Sequence, residues 1–292
     1  MKLLTKYKFE CPNKKKEQSV KILFLLPSLI GICIFNLIPF LDVARKSFLT
    51  SVTGQYIGIF NYKTILHNQA FLLAVGNTGR FILLCIPLLM IFSLIIALTV
   101  SEIPYLQLVK IGYLIPLAIP TATIILIWKI LFFKQGILNG MLHMCGLPIV
   151  DFMGSGATFW VLVLSYIWKN LGYTMSIWMA GIYSISDCVI EAATVEGATQ
   201  WQKIIYIILP QLKTTADIIL LLSFLNSFKV FREAYLVAGA YPYKSIYLLQ
   251  HLFNNWFVNL DLDKMAAATI FIAAFLFIAV LLLQIRWEKC EN

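Results

Sequence analysis

Asp187-Cys-Val-Ile-Glu191-Ala192-Ala193-Thr-Val-Glu196-Gly197-Ala198, followed by Thr199-Gln-Trp201-Gln202 and closing on Ile207-Ile-Leu209-Pro210, is the stretch from which the fold reads outward. It sets carboxylates, small residues and a glycine between two long apolar runs. Asp187 is placed to cap a short helix through Val195. Gly197 is placed to end it, because glycine enters the left-handed region without a Cβ clash. Thr199 with Gln202 three residues on has the capping-box pattern of a second helix. Trp201, Ile204, Ile205 and Ile208 then fall on one helical face, and Pro210 ends the unit. The crest of this helix-turn-helix, Ala192-Ala193 and Gly197-Ala198, is small enough for another chain to approach closely, and Glu191 and Glu196 offer it carboxylates. Two solvated charges on an ordinary loop are the other reading of the same residues.

The chain around this stretch is made for lipid. Of its 292 residues 60% are hydrophobic and 13% charged, and mean hydropathy is +0.84, far from a soluble domain. A bilayer core of about 30 Å takes roughly 20 helical residues. Apolar runs of that length without period-2 alternation favour helices over a barrel. The fold class expected is therefore an all-α integral membrane protein of six transmembrane helices, near 22–41, 78–100, 108–133, 158–183, 216–239 and 265–285. The formal charge of +9 gathers in Lys2, Lys6, Lys8, Lys14, Lys15, Lys16 and Lys21. That pattern marks residues 1–21 as a basic cytoplasmic N-terminus and does not suit a nucleic-acid groove. The first span lacks a small-residue cleavage site after a short apolar core, so it reads as an uncleaved anchor. Counting crossings from there puts the 187–210 unit and the tail 286–292 on the cytoplasmic side of a multi-pass cell-membrane protein.

Polar residues inside the spans are the next signal. An ammonium facing lipid costs at least a few kcal/mol, so Lys169 is expected to face a polar cavity or another chain, beside Tyr166, Asn170 and Tyr173. Ser223, Asn226 or Ser227, Val230 and Glu233 recur at three- or four-residue spacing. Such a stripe lines a water-filled path or forms interhelix hydrogen bonds. Lys229 and Arg232 are placed to pair with Glu233 or with an external group close to the outer interface. Trp128 suits the interfacial belt, with Lys129 and Lys134 snorkelling outward, and a short interfacial helix is expected after Gly136. Cys11, Cys33, Cys85, Cys145, Cys188 and Cys290 show no C-x-x-C and read as small apolar fillers. His67, His143 and His251 fall in external loops, where a solvated side chain is ordinary. No phosphate loop, metal-ligand set or nucleophile–base pair stands out, so neither catalysis nor a bound cofactor is expected of this chain.

The spacing Glu191-Ala192-Ala193, three residues, Gly197, nine residues, Ile207, one residue, Leu209-Pro210 resembles the EAA loop of permease subunits in binding-protein-dependent ABC importers. Glu196 stands where that family usually has Asp. From about Val20 to Arg286, Asn77-Thr78 with Pro87, Trp128-Lys129 with Gly136 and Asn139, Trp168-Lys-Asn-Leu-Gly172-Tyr173 and Ser227-Phe-Lys-Val-Phe231 resemble the carbohydrate branch. The similarity is to the larger maltose permease subunit without its inserted external domain and extra N-terminal helices. A family segment of consecutive glycines and proline is reduced here to Gly239-Ala-Tyr-Pro242.

The resemblance implies a type I ABC importer permease fold. In it Glu191, Ala192, Ala193, Glu196, Gly197, Ala198, Leu209 and Pro210 couple to a cleft of the ATPase subunit. It also implies the partners: a homologous second permease subunit, two copies of an ABC ATPase that binds ATP and Mg, an extracytoplasmic solute-binding protein, and a sugar substrate, most naturally an oligosaccharide. Tyr173 and Ser223 match in type the maltose-subunit positions that touch substrate. Tyr166, Lys169, Asn170, Asn226 and Ser227 occupy or neighbour cavity positions with other residue types. Two readings stay open beside it. One is a permease for a non-sugar solute such as a polyamine or phosphorylated polyol. The other is an ion-coupled secondary transporter, which calls for coupling residues deep in the spans and an inverted repeat.

Overall fold

A computed structural model describes residues 25–101 and 107–291. The basic segment 1–21, most of the turn expected at 101–107, and residue 292 lie outside the described residues. Among those described, every regular element is helical apart from one bridge pairing Leu49 with Tyr56. Among the described residues, four helical stretches are long and apolar enough to cross a membrane: Leu25–Lys46, Gln69–Ser101, Thr121–Met144 and Lys213–Tyr235.

Helix α1 is Leu25–Lys46, α2 is Phe60–Leu66 and α3 is Gln69–Ser101. At about 1.5 Å per residue α3 is roughly 50 Å long, and it is the spine of the bundle. Its buried positions, among them Phe71, Ala74, Phe81, Cys85, Leu89, Ala97 and Val100, follow the three- or four-residue helical repeat. Three apolar clusters are strung along it. Near its start, Phe71 and Ala74 meet Leu252 and Trp256 of α12 (Leu249–Val258) and Ala267 and Ala268 of α13 (Leu262–Glu291). At its middle, Phe81, Cys85 and Leu89 meet Leu162, Val163 and Tyr166 of α7 (Thr158–Tyr183). Toward its end, Ala97 and Val100 meet Met175, Trp178 and Ile182 of α7.

Lipid tails are as apolar as leucine, so close packing and polar ties decide which helices associate. Both devices occur here. The Trp178 indole donates to Ser93 Oγ at 3.1 Å, and the Trp128 indole donates to Ser165 Oγ at 2.8 Å. A Cβ at Gly172 would collide with the carbonyl of Tyr113 in α4 (Gln107–Ala118), so glycine there lets two backbones touch.

Several expectations shift. The span expected at 108–133 is two helices, α4 and α5 (Thr121–Phe132), broken at Pro120. Proline has no N–H and biases the residue before it away from the helical region. The second span begins at Gln69, eight residues before Asn77, because the apolar periodicity runs on upstream. The span expected at 216–239 is α10 (Lys213–Ser227) and α11 (Phe231–Ala238), joined by a tight turn at Phe228–Val230. Trp128, expected in the interfacial belt, is buried against Trp168 of α7. Of the described cysteines only Cys85 is a buried filler; Cys33, Cys145 and Cys188 are exposed. The short helix expected after Gly136 is α6 (Ile137–Met144).

Candidate functional site

Two places gather the singled-out residues. The first is the unit between α7 and α10. Helix α8 is Asp187–Val195, and α9 begins at Gln200–Lys203 and continues to Gln211 through a wide turn at Ile204–Ile208. Ser186 is the N-cap residue and Asp187 opens the helix, a correction to the expected cap. A carboxylate in the first turn still complements the helix dipole. Gly197 has φ +83°, and two bonds close the turn: Gly197 N–H to the Thr194 carbonyl at 3.1 Å and Ala198 N–H to the Ala193 carbonyl at 2.9 Å. These are the paired bonds of a Schellman motif. The Thr199 N–H donates to Gln202 Oε1 at 2.7 Å while Thr199 Oγ1 accepts from the Gln202 N–H at 3.4 Å, the reciprocal capping box.

The face expected from Trp201, Ile204, Ile205 and Ile208 is split. Ile204 and Ile208 turn toward the bundle, whereas Trp201 and Ile205 are exposed. The wide turn is the reason. Pro210 supplies no N–H to the carbonyl four residues back, and the backbone answers by closing an i to i+5 bond, Leu209 N–H to the Ile204 carbonyl, which slips the register. The same device precedes Pro39, with a wide turn at Cys33–Leu37. No residue of α8 or of Gln200–Gln211 is buried. Glu191, Ala192, Glu196, Gly197, Leu209 and Pro210 are exposed, and Ala193 and Ala198 are half-buried. Val195 at 88%, Trp201 at 74% and Tyr206 at 74% make an unusually bare apolar surface around the carboxylates.

The second place is a cavity of about 300 Å³ inside the bundle. It is lined by Leu117 of α4, Tyr166, Lys169, Asn170 and Tyr173 of α7, and Asn226, Lys229, Val230 and Glu233 around the α10–α11 turn. Tyr166, Lys169, Asn170 and Tyr173 lie at i, i+3, i+4 and i+7, one stripe of a straight helix. Ser223 and Ser227 do not line it. Both are buried in helix packing, the Ser223 carbonyl accepting from the Tyr166 hydroxyl at 2.7 Å and Ser227 Oγ donating to the Phe224 carbonyl at 2.6 Å.

Glu233 pairs with neither Lys229 nor Arg232. Its Oε1 takes the Lys169 ammonium at 2.6 Å, and Lys169 also donates to Thr121 Oγ1 at 3.2 Å. Lys229 donates instead to Asn226 Oδ1 at 2.8 Å. Sequence reasoning placed Glu233 on the polar stripe without seeing its partner. The signal available was two opposite charges inside apolar helices, which must meet or face water.

A third feature contradicts its expectation. His251 of α12 is fully buried, not solvated. Its Nδ1 accepts from the Leu248 N–H at 3.2 Å, which places the proton on Nε2, and its ring stands edge-on to Phe231 at 4.8 Å between centroids. Burial pulls its pKa from 6.5 down to about 4. It lies outside the cavity.

No protein-family model matches the chain. It is 26% identical over 236 residues to the trehalose/maltose transport system permease protein MalF of Thermococcus litoralis, an alignment covering 78% of this chain and 80% of that one. It is 25% identical over 228 residues to the arabinooligosaccharides transport system permease protein AraP of Bacillus subtilis, covering 76% and 72%. A chain from the crystal structure of a bacterial ABC transporter involved in the import of the acidic polysaccharide alginate matches with a TM-score of 0.83 at 23% identity, covering 94% of this chain and 96% of that one. The fold is thus that of an ABC importer permease, and the similarity to carbohydrate ABC permeases runs along most of the chain.

Proposed function

We propose that this chain is the membrane-spanning subunit of an ATP-driven importer for a sugar, most naturally an oligosaccharide, and forms half of its translocation path. In this reading α1, α3, the α4–α5 pair, α7, the α10–α11 pair and α13 are its six crossings, with both termini in the cytoplasm. The residues 187–210 dock on an ABC ATPase. A homologous second permease subunit completes the path, two ATPase copies bind the ATP and Mg, and a solute-binding protein delivers the sugar from outside.

The observation that carries the reading is the bareness of the α8–α9 unit. It is folded by its own caps, leaves Val195, Trp201, Ile205 and Tyr206 uncovered, and holds Glu191 and Glu196 among them. Exposed apolar surface rimmed by charge is the pattern of a protein–protein contact. The trehalose/maltose and arabinooligosaccharides relatives support the sugar assignment. Nucleotide closure of the ATPase pair then moves a self-contained rigid unit, which tilts α7 and α10 at either end of it, an alternating-access scheme.

The test is copurification of the tagged chain, coexpressed with its genomic neighbours, in wild type and Glu191→Arg. An ATPase should be recovered with the wild type and lost from the variant, because a carboxylate that accepts charge-assisted bonds becomes a like charge to its basic partners. Equal recovery from both would remove the docking role from Glu191.

A further inference from the structure

We propose that the Lys169–Glu233 pair makes the cavity a site for an uncharged sugar, and that Glu233 is the residue that excludes acidic ones. This rests on the importer reading of the same cavity.

The pair sits where a substrate must pass. The Lys169 side chain is 21% exposed and that of Glu233 7%, so both ions are largely out of water, and their contact at 2.6 Å satisfies each charge with the other. The valences are not exhausted. An ammonium has three donors; Glu233 and Thr121 use two. Glu233 Oε2 is buried without a protein partner. One donor of the ammonium therefore remains, on a side chain that lines the cavity. Behind Glu233 a slot of about 20 Å³ runs beside Thr158 and Ser165, room for a single water at most. A sugar hydroxyl is too large for that slot, so Glu233 acts on a ligand through the lysine it neutralises.

A sugar hydroxyl fits that donor by accepting from the ammonium. A sugar carboxylate does not fit. Its natural partner, the desolvated cation Lys169, is already neutralised by Glu233 at 2.6 Å. Lys229 is the third charged residue lining the cavity, but it is exposed, and a hydrated cation is screened and discriminates weakly. The transporter whose fold this chain shares is involved in importing an acidic polysaccharide; at 23% identity that likeness carries the fold and leaves the substrate to the side chains.

The experiment uses the complex copurified in detergent and saturation-transfer NMR with two probes of equal length, maltotriose and trigalacturonate, offered without the binding protein. Wild type should transfer saturation to maltotriose and little to trigalacturonate. Glu233→Gln frees the ammonium, and trigalacturonate should gain about tenfold in affinity, the scale of one unpaired desolvated charge, with the gain lost at raised salt. Lys169→Met/Glu233→Met replaces the ions with apolar chains of similar length, a change such sites tolerate. It should lose maltotriose without gaining trigalacturonate, which keeps the test decisive if Glu233→Gln does not yield a well-folded complex. Equal binding of both probes by wild type, or an unchanged preference in Glu233→Gln, overturns the proposal. Silence of both probes toward wild type, with an ATPase still copurifying, overturns it too while leaving the importer reading intact. Absence of the ATPase strikes the importer reading whichever probe binds.

Discussion

The α8–α9 unit and the segment from Gly239 to Asp261 both connect long helices, and they are built by opposite means. In the first, the bonds that shape the turn close within a few residues: Ala198 to Ala193, Gly197 to Thr194, Thr199 to Gln202. In the second, the shaping bonds reach across the chain. Asn77 Nδ2 donates to the carbonyls of Lys244 at 2.6 Å and Tyr247 at 3.0 Å, the Leu249 N–H donates to Thr78 Oγ1 at 3.1 Å, and Asn255 Nδ2 donates to the Ala240 carbonyl at 3.1 Å. The first keeps its shape whatever it leans on. The second draws three of those bonds from Asn77 and Thr78 of α3.

Three perturbations should pull this contrast apart. Asn77→Leu leaves two part-buried carbonyls without their donor and should lower stability by about 3 kcal/mol, read as a drop in the midpoint of thermal unfolding in detergent. A shift within error would mean that the 239–261 segment holds itself together. Acid is the second. Because the folded His251 pKa of about 4 lies below its ordinary 6.5, the unfolded chain binds a proton that the folded chain refuses. Stability therefore falls as pH drops from 6.5 toward 4 and levels off below that. His251→Phe should flatten the unfolding midpoint across that window, and an equal slope in the variant would place the sensitivity elsewhere. The smallest effect is expected in the other region. Thr199→Ala removes the α9 cap at about 1 kcal/mol, spent on local fraying, so hydrogen exchange near residues 199–203 should quicken while the global midpoint stays put. A matching fall in the global midpoint would show the unit to be fused to the bundle.

The contrast also explains what the sequence disclosed. Gly197 and the Thr199–Gln202 pair were legible because their partners lie three to five residues away, the range over which helix chemistry is local. The cavity wall on α7 was legible for a similar reason: a straight helix puts Tyr166, Lys169, Asn170 and Tyr173 on one stripe. Ser223 and Ser227 meet the packing alternative, because periodicity finds a stripe without saying which neighbour it faces, and at these two positions it faces packed helices. Glu233 meets a lysine 64 residues away, and His251 is sealed by rings from Phe231, Tyr235 and Tyr247. No local pattern announces either. The slip before Pro210 was invisible for a subtler reason, since face assignment assumes an unbroken repeat of 3.6.

Gly172 has a mechanical consequence. With no side chain between its backbone and the Tyr113 carbonyl, α4 cannot glide along α7 without riding over a flanking side chain, and the Lys110 ammonium holds the Tyr183 hydroxyl at 3.0 Å nearer the other end. Two bolts on one shaft make a single lever. Its joint is Pro120, where α4 hands over to α5, and Leu117 and Thr121 stand on either side of that joint within reach of the cavity and of Lys169. A swing at Pro120 would therefore reshape the chamber wall at Leu117 and Thr121 and leave the helix–helix seam packed.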